Sequence, residues 1–110
     1  MSRIRSVHPE QWRKDSEAWG SARSNLYVIQ EGDNGVLKVG IAGHPVRRLM
    51  MLQTGNYRRL HLRAVFEGTD RSCMAVEAYL LRYFDRAGGE WFFADLSEVL
   101  RVIEAFTVNE

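Results

Sequence analysis

From Asn25 onward the hydrophobic positions fall into alternating strand-like and helix-like periods. Leu26-Tyr27-Val28-Ile29-Gln30 is β-branched and aromatic and predicts a strand. Glu31-Gly32-Asp33-Asn34-Gly35 has the composition of a hairpin turn, and Val36-Leu37-Lys38-Val39-Gly40-Ile41 reads as the returning antiparallel strand. Gly43-His44-Pro45 breaks that strand, and Pro45 suits the first turn of a helix. In this helix Val46, Leu49 and Met50 are spaced to face inward, with Leu52 nearby. Gln53-Thr54-Gly55-Asn56 stops it. Residues 60–66 alternate as a third strand. A long helix is predicted over 70–86, capped by Thr69 or Asp70, with Met74, Leu80, Leu81 and Phe84 inward and Ala75 and Ala78 at close-packing positions. Gly88-Gly89 ends it, and Glu90-Trp91-Phe92-Phe93 is a short extended segment, with Trp91 and Phe92 expected in the core. A last helix, opened by Asp95 or Ser97, places Val99, Leu100, Ile103 and Phe106 on one face.

The implied class is α+β: a small antiparallel three-stranded sheet flanked by helices in ββαβαα order over residues 25–110. Residues 1–24 form an N-terminal helical arm. Within it, Trp12, Ala18 and Trp19 make an apolar stripe that docks either on the domain or on a second subunit, a homodimer through the arm being the latter case. The longest apolar stretches are too short for a membrane-spanning helix, and Met-Ser-Arg-Ile-Arg lacks the apolar core of a signal peptide, so a cytoplasmic protein is expected. A single cysteine, Cys73, excludes an intrachain disulfide and reads as a small buried filler.

Net charge is +1 over 110 residues, and that near-balance conceals a strong asymmetry. Residues 1–37 are balanced, with five basic and five acidic side chains. Residues 38–63 hold Lys38, Arg47, Arg48, Arg58, Arg59 and Arg63 with no Asp or Glu, together with His44 and His61. Residues 64–110 hold four basic and nine acidic side chains. A basic, acid-free middle marks a face for polyanions, and arginine suits bidentate phosphate contacts. The competing structural reading is that the acidic last third neutralises it in the fold. Glu77, surrounded in sequence by Ala75, Val76, Ala78 and Leu80, must either pair with a cation such as Arg48 or Arg82 or hold a metal. Met50 and Met51 read as core packing.

Read together, these segments resemble the GIY-YIG nuclease superfamily. Leu26-Tyr27-Val28-Ile29 is similar to the first half of the family signature and Lys38-Val39-Gly40 to the second. Gly40, Pro45, Arg48 and Leu49 follow as in the family's stretch up to its arginine. Leu52-Gln53-Thr54-Gly55-Asn56, Ala75-Val76-Glu77 and Gly89-Glu90-Trp91-Phe92 resemble a divergent phage and bacterial branch with a Lys-Ile-Gly second motif and a Glu-Trp-Phe motif. The resemblance spans residues 25–93. It implies metal-assisted hydrolysis of nucleic-acid phosphodiesters, with DNA preferred to RNA and Mg²⁺ or Mn²⁺ as cofactor.

The same resemblance implies roles for individual residues. Tyr27 would orient or deprotonate the attacking water, Arg48 would stabilise charge on the phosphorus, and Glu77 would ligate the metal. Gly40 would be structural, and Glu90 with Trp91 would form a latch in which Glu90 satisfies a helix end or an arginine. Lys38, His44, Arg47, Arg58, Arg59 and Arg63 would contact nucleic acid, Lys38 from within the catalytic group. Three positions depart from the pattern: Lys38 replaces the second-motif tyrosine, Leu81 stands where the branch often has a histidine, and Asn25-Leu26 replace the opening Gly-Ile. These departures define a second expectation, a catalytically impaired module that binds nucleic acid or protein, such as a phage inhibitor of a host factor.

Overall fold

The computed structural model describes residues 4–14, 24–33 and 35–107. In chain order the elements are β1 (Arg5–Ser6), α1 (Gln11–Lys14), β2 (Ser24–Glu31), β3 (Leu37–Ala42), α2 (Pro45–Thr54), β4 (Leu60–Gly68), α3 (Asp70–Tyr83), β5 (Asp85–Gly88), β6 (Trp91–Phe93) and α4 (Leu96–Glu104). The class is α+β as expected, but the sheet has six strands, not three, in the order β1-β4-β2-β3-β6-β5, all paired antiparallel. The elements from β2 to α3 follow the expected ββαβα order, and two strands then intervene before α4.

Each extra strand has an identifiable cause. Helix α3 ends at Tyr83, not at residue 86, because Phe84 turns extended (φ −105°, ψ 150°) and stacks on Phe92 with ring centroids 5.6 Å apart. Burying that ring outweighs one more helical turn. The freed residues Asp85–Gly88 fold back on Trp91–Phe93 through Gly89, whose φ of 57° supplies the turn. Gly88-Gly89 is therefore a hairpin element and not a helix stop. On the far edge, Arg5 and Ser6 pair with Glu67 and Phe66 of β4, which runs on to Gly68.

Strand β2 is central and buried from Asn25 to Gln30, so its two faces feed two cores. Leu26 and Val28 join Val39, Phe66, Cys73, Val76, Leu80, Phe92, Val99 and Ile103 beneath α3 and α4. Tyr27 and Ile29 face the other way, with Leu49, Leu52, Leu60 and Trp91 under α2. The arm segment packs on its own domain: Ile4 is buried, and Trp12 joins Val7, Val65, Val46 and Leu62 while its indole N–H donates to the Val7 carbonyl at 3.1 Å. Ala18 and Trp19 lie outside the described residues. Among the described residues no helix is long and apolar enough to cross a membrane.

Several inward assignments are overturned. Met50, Met51 and Met74 are exposed (65%, 64% and 60%), as are Ala75 and Ala78. Residues α3 buries lie on the Cys73–Val76–Leu80 stripe, one step round the helix from Met74. Trp91 is half-buried and Phe92 fully buried. Cys73 is buried, as a filler should be, and Thr69 caps α3 by accepting from the Ser72 N–H at 3.1 Å.

Candidate functional site

The β2–β3 register sets the site. Tyr27 stands opposite Gly40, and Lys38 stands opposite Ile29 on one side and Trp91 of β6 on the other. All project toward the α2 side of the sheet. Tyr27 is 1% exposed, its ring lying directly over Gly40, where a Cβ atom would come within 2.9 Å of Cε2 and closer still to Cζ and Oη. The glycine is thus required by close approach of the cross-strand ring, not by φ, because Gly40 is not in the left-handed region.

Lys38 is buried at 8% exposure, an expensive place for an ammonium unless it is paired. Its Nζ donates to Glu90 Oε2 at 2.5 Å and lies 5.8 Å from the centre of the Trp91 ring. The β5–β6 turn carries Glu90 to this position. Glu90 therefore satisfies a lysine, where a helix end or an arginine was expected. The hydrogen bond and charge of Lys38 hold its carboxyl below the ordinary range.

Arg48 projects from α2 and acts on the Tyr27 phenol through its charge and a side-chain hydrogen bond. Burial pushes the phenol pKa up, Arg48 opposes this, and the charges of Glu90 and Glu77 push it up further. The phenol accordingly stays protonated at neutral pH, its oxygen accepting from Arg48 and its O–H left able to donate. Glu77, half-buried on α3, makes no ion pair with Arg48 or Arg82 among the described residues. Its carboxyl is raised by burial and by the charge of Glu90, with Lys38 working the other way. Tyr27, Lys38, Arg48, Glu77 and Glu90 thus share one electrostatic neighbourhood, assembled from four elements and one turn.

The donor set bears on a metal. No group of three or more His, Cys, Asp or Glu side chains among the described residues could hold an ion. Mg²⁺, however, commonly takes one or two carboxylates and completes its shell with water and phosphate oxygens. A half-buried carboxylate burdened by a like charge is suited to such a cation.

The six basic residues of the middle segment do not form one free surface. Arg58 lies 3.6 Å from Glu31 and over the Tyr57 ring at 5.5 Å. Arg63 donates to Gln30 Oε1 at 3.0 Å and lies 3.9 Å from Asp33, with His61 3.8 Å from the same carboxylate. The acids beside Arg58, His61 and Arg63 thus come from the end of β2 and the β2–β3 turn, whereas Lys38 takes Glu90 from the acidic last third. Arg47 and Arg59 are exposed and make no ion pair among the described residues. His44 is half-buried at the α2 N-cap, its carbonyl accepting from the Arg48 N–H at 3.0 Å while its imidazole leaves the helix uncapped.

One supporting residue has no counterpart in the sequence reading beyond a departure from the motif. The buried Asn25 amide donates to the carbonyls of Ala42 and Gly43, each at 3.3 Å, and ties the exit of β3 to the start of β2. The only sequence signal was a polar residue heading an apolar strand.

No protein-family model matches the chain, and no curated protein and no solved structure matches it.

Proposed function

We propose that this protein is a metal-dependent endonuclease of the GIY-YIG type, hydrolysing nucleic-acid phosphodiester bonds with DNA preferred to RNA. The observation that carries the reading is the convergence of a buried protonated phenol, a guanidinium and a half-buried carboxylate: Tyr27, Arg48 and Glu77. They lie far apart in the chain: Tyr27 and Arg48 belong to the α2 side of the sheet, and Glu77 on α3 acts on the phenol through its charge. Tyr27 donates its hydrogen bond to the attacking water or to a non-bridging oxygen and so fixes the line of attack. The raised phenol pKa favours this orienting role over deprotonation. Arg48, the charge that acts most strongly on the phenol, offsets the negative charge that grows on the phosphorus oxygens in the transition state. Glu77 would hold Mg²⁺ or Mn²⁺, which when bound supplies Lewis-acid polarisation of the phosphate. Lys38, paired with Glu90, supplies a positive charge that also acts on Glu77.

The test is cleavage of single-stranded, double-stranded and branched DNA and of RNA with Mg²⁺ or Mn²⁺. Wild-type protein cuts at least one of these, and Glu77→Ala loses the activity. Failure on all four substrates, or full activity in Glu77→Ala, refutes the proposal.

A catalytically impaired module that binds nucleic acid or protein, such as a phage inhibitor of a host factor, is the second reading. It is favoured by the Lys38–Glu90 pair at the second-motif position and by Leu81, which packs against the main core. Nucleic-acid binding that is metal-independent, salt-sensitive and unchanged by Tyr27→Phe selects it.

A further inference from the structure

Helix α2 buries one side and leaves the other unusually apolar. Val46, Leu49 and Leu52 pack toward the sheet. Arg47, Met50, Met51 and Thr54, at i, i+3, i+4 and i+7, form its solvent-facing stripe. Met50 and Met51 are 65% and 64% exposed, and Tyr57, just beyond the helix, is 91% exposed. Solvent-facing helix positions ordinarily carry Lys, Glu or Gln. Two adjacent methionines offer instead soft, unbranched side chains that adapt to an irregular apolar partner.

The charge around this stripe selects the partner. It lies inside the segment without a single Asp or Glu, with Arg47 on the stripe, Arg48 at its flank and exposed Arg59 beyond it. An apolar surface set among arginines complements a chain that has flat apolar faces and a phosphate on every unit. We infer that the outer face of α2 grips the nucleic-acid strand, Met50, Met51 and Tyr57 against bases and Arg47 and Arg59 against phosphates, and that the preferred substrate is an unpaired or locally unstacked strand. Intact duplex offers only base edges in its grooves, whereas flat contact with Met and Tyr needs a base face. Wedge-like apolar side chains flanked by arginines use the same chemistry where a duplex is unstacked. Arg58 lies over the Tyr57 ring and donates from Nε to its hydroxyl at 3.2 Å, which holds the ring in place for stacking. This inference names the substrate form for the nuclease reading and rests on it, because α2 also carries Arg48.

The experiment uses the full chain in EDTA, so that binding is read without cleavage. A labelled single-stranded DNA and its blunt duplex are titrated by fluorescence anisotropy. Each saturated complex is then treated with dilute hydrogen peroxide, and methionine sulfoxide is read by peptide mass spectrometry. Met74, 60% exposed on α3, is the internal control. Single-stranded DNA slows oxidation of Met50 and Met51 several-fold and leaves Met74 unchanged, and the duplex protects less. Met50→Gln/Met51→Gln, which keeps good helix formers at solvent-facing positions, weakens single-strand binding by about tenfold. Arg47→Gln lowers the salt slope by about one. Oxidation of Met50 and Met51 at the free rate in a complex formed by anisotropy overturns the inference, as does equal protection by the duplex or no binding at all. Cleavage in Mg²⁺ or Mn²⁺ is scored separately: activity without protection leaves the nuclease reading intact, and protection without activity leaves the strand-gripping face intact.

Discussion

Gly40→Ala tests the geometry on which the whole site depends. The added methyl would lie 2.9 Å from Cε2 of Tyr27 and closer to Cζ and the hydroxyl, where carbon atoms ordinarily sit about 3.5–4.0 Å apart. Neither partner can easily yield. The ring is 1% exposed and wedged among Ile29, Leu49, Leu52 and Leu60, and Gly40 is hydrogen-bonded in the β2–β3 ladder. Overpacking of this kind costs about 1–3 kcal/mol, and the severity of the overlap argues for the upper half of that range. A gain of about 0.4–1 kcal/mol from stiffening the unfolded chain offsets part of it. The expected net loss is about 1–2.5 kcal/mol, read as a lower urea midpoint at unchanged m. Tyr27→Ala alone should cost about 3–5 kcal/mol by emptying the pocket. In the double variant the new methyl occupies space vacated by the ring, so the two costs add to less than their sum by about 1–2 kcal/mol. Gly40→Ala as stable as wild type, or strict additivity in the double variant, would refute the claim that the glycine exists to seat the tyrosine.

Two further perturbations probe the site. Lys38→Met removes the charge that opposes the upward shift of Glu77, so the Glu77 carboxyl rises further and the acidic limb of cleavage moves to higher pH. A pH–rate profile with an unmoved acidic limb contradicts the shared electrostatic neighbourhood. In the wild type, the folded-state pKa of Glu90 is depressed, so its contribution to stability is complete above its unfolded value and is lost as pH falls through the folded one. Glu77 has the opposite sign, and its ionisation costs stability as pH rises from the unfolded to the folded value. Urea midpoints across the acidic range should show the Glu90 component shrink in Lys38→Met, Arg48 and Arg86 keeping the remainder. Asn25→Ala leaves the Ala42 and Gly43 carbonyls without their donor and should cost about 1–2 kcal/mol, with faster amide exchange over residues 42–46. Unchanged exchange there would show that Asn25 does not anchor the loop.

Much of the fold was legible because its signals are local. The β2–β3 hairpin, α2 and α4 are each marked by period and turn chemistry within a dozen residues, and the elements found match their expected spans closely. Tyr27, Lys38, Gly40, Arg48 and Glu77 were legible as a set by their order along the chain. The misread segments are those where a distant partner decides. Residues 85–88 continue a plausible helix until Phe92 offers Phe84 a ring to stack on, and Arg5 and Ser6 become a strand only because β4 presents a free edge.

Sequence alone determined the α+β class, the central hairpin, the acid-free basic segment and the side-chain types available for chemistry, because each follows from residue identity and short-range periodicity. Tertiary structure decided the rest. It added three strands, buried Lys38 against Glu90, seated Tyr27 over Gly40, spent Arg58 and Arg63 on the acids of the β2–β3 turn, and turned Met50 and Met51 out to solvent. These outcomes depend on which surfaces meet. Pairing energies and burial are properties of contacts between residues tens of positions apart, and no local pattern encodes which side of an amphipathic helix will be covered.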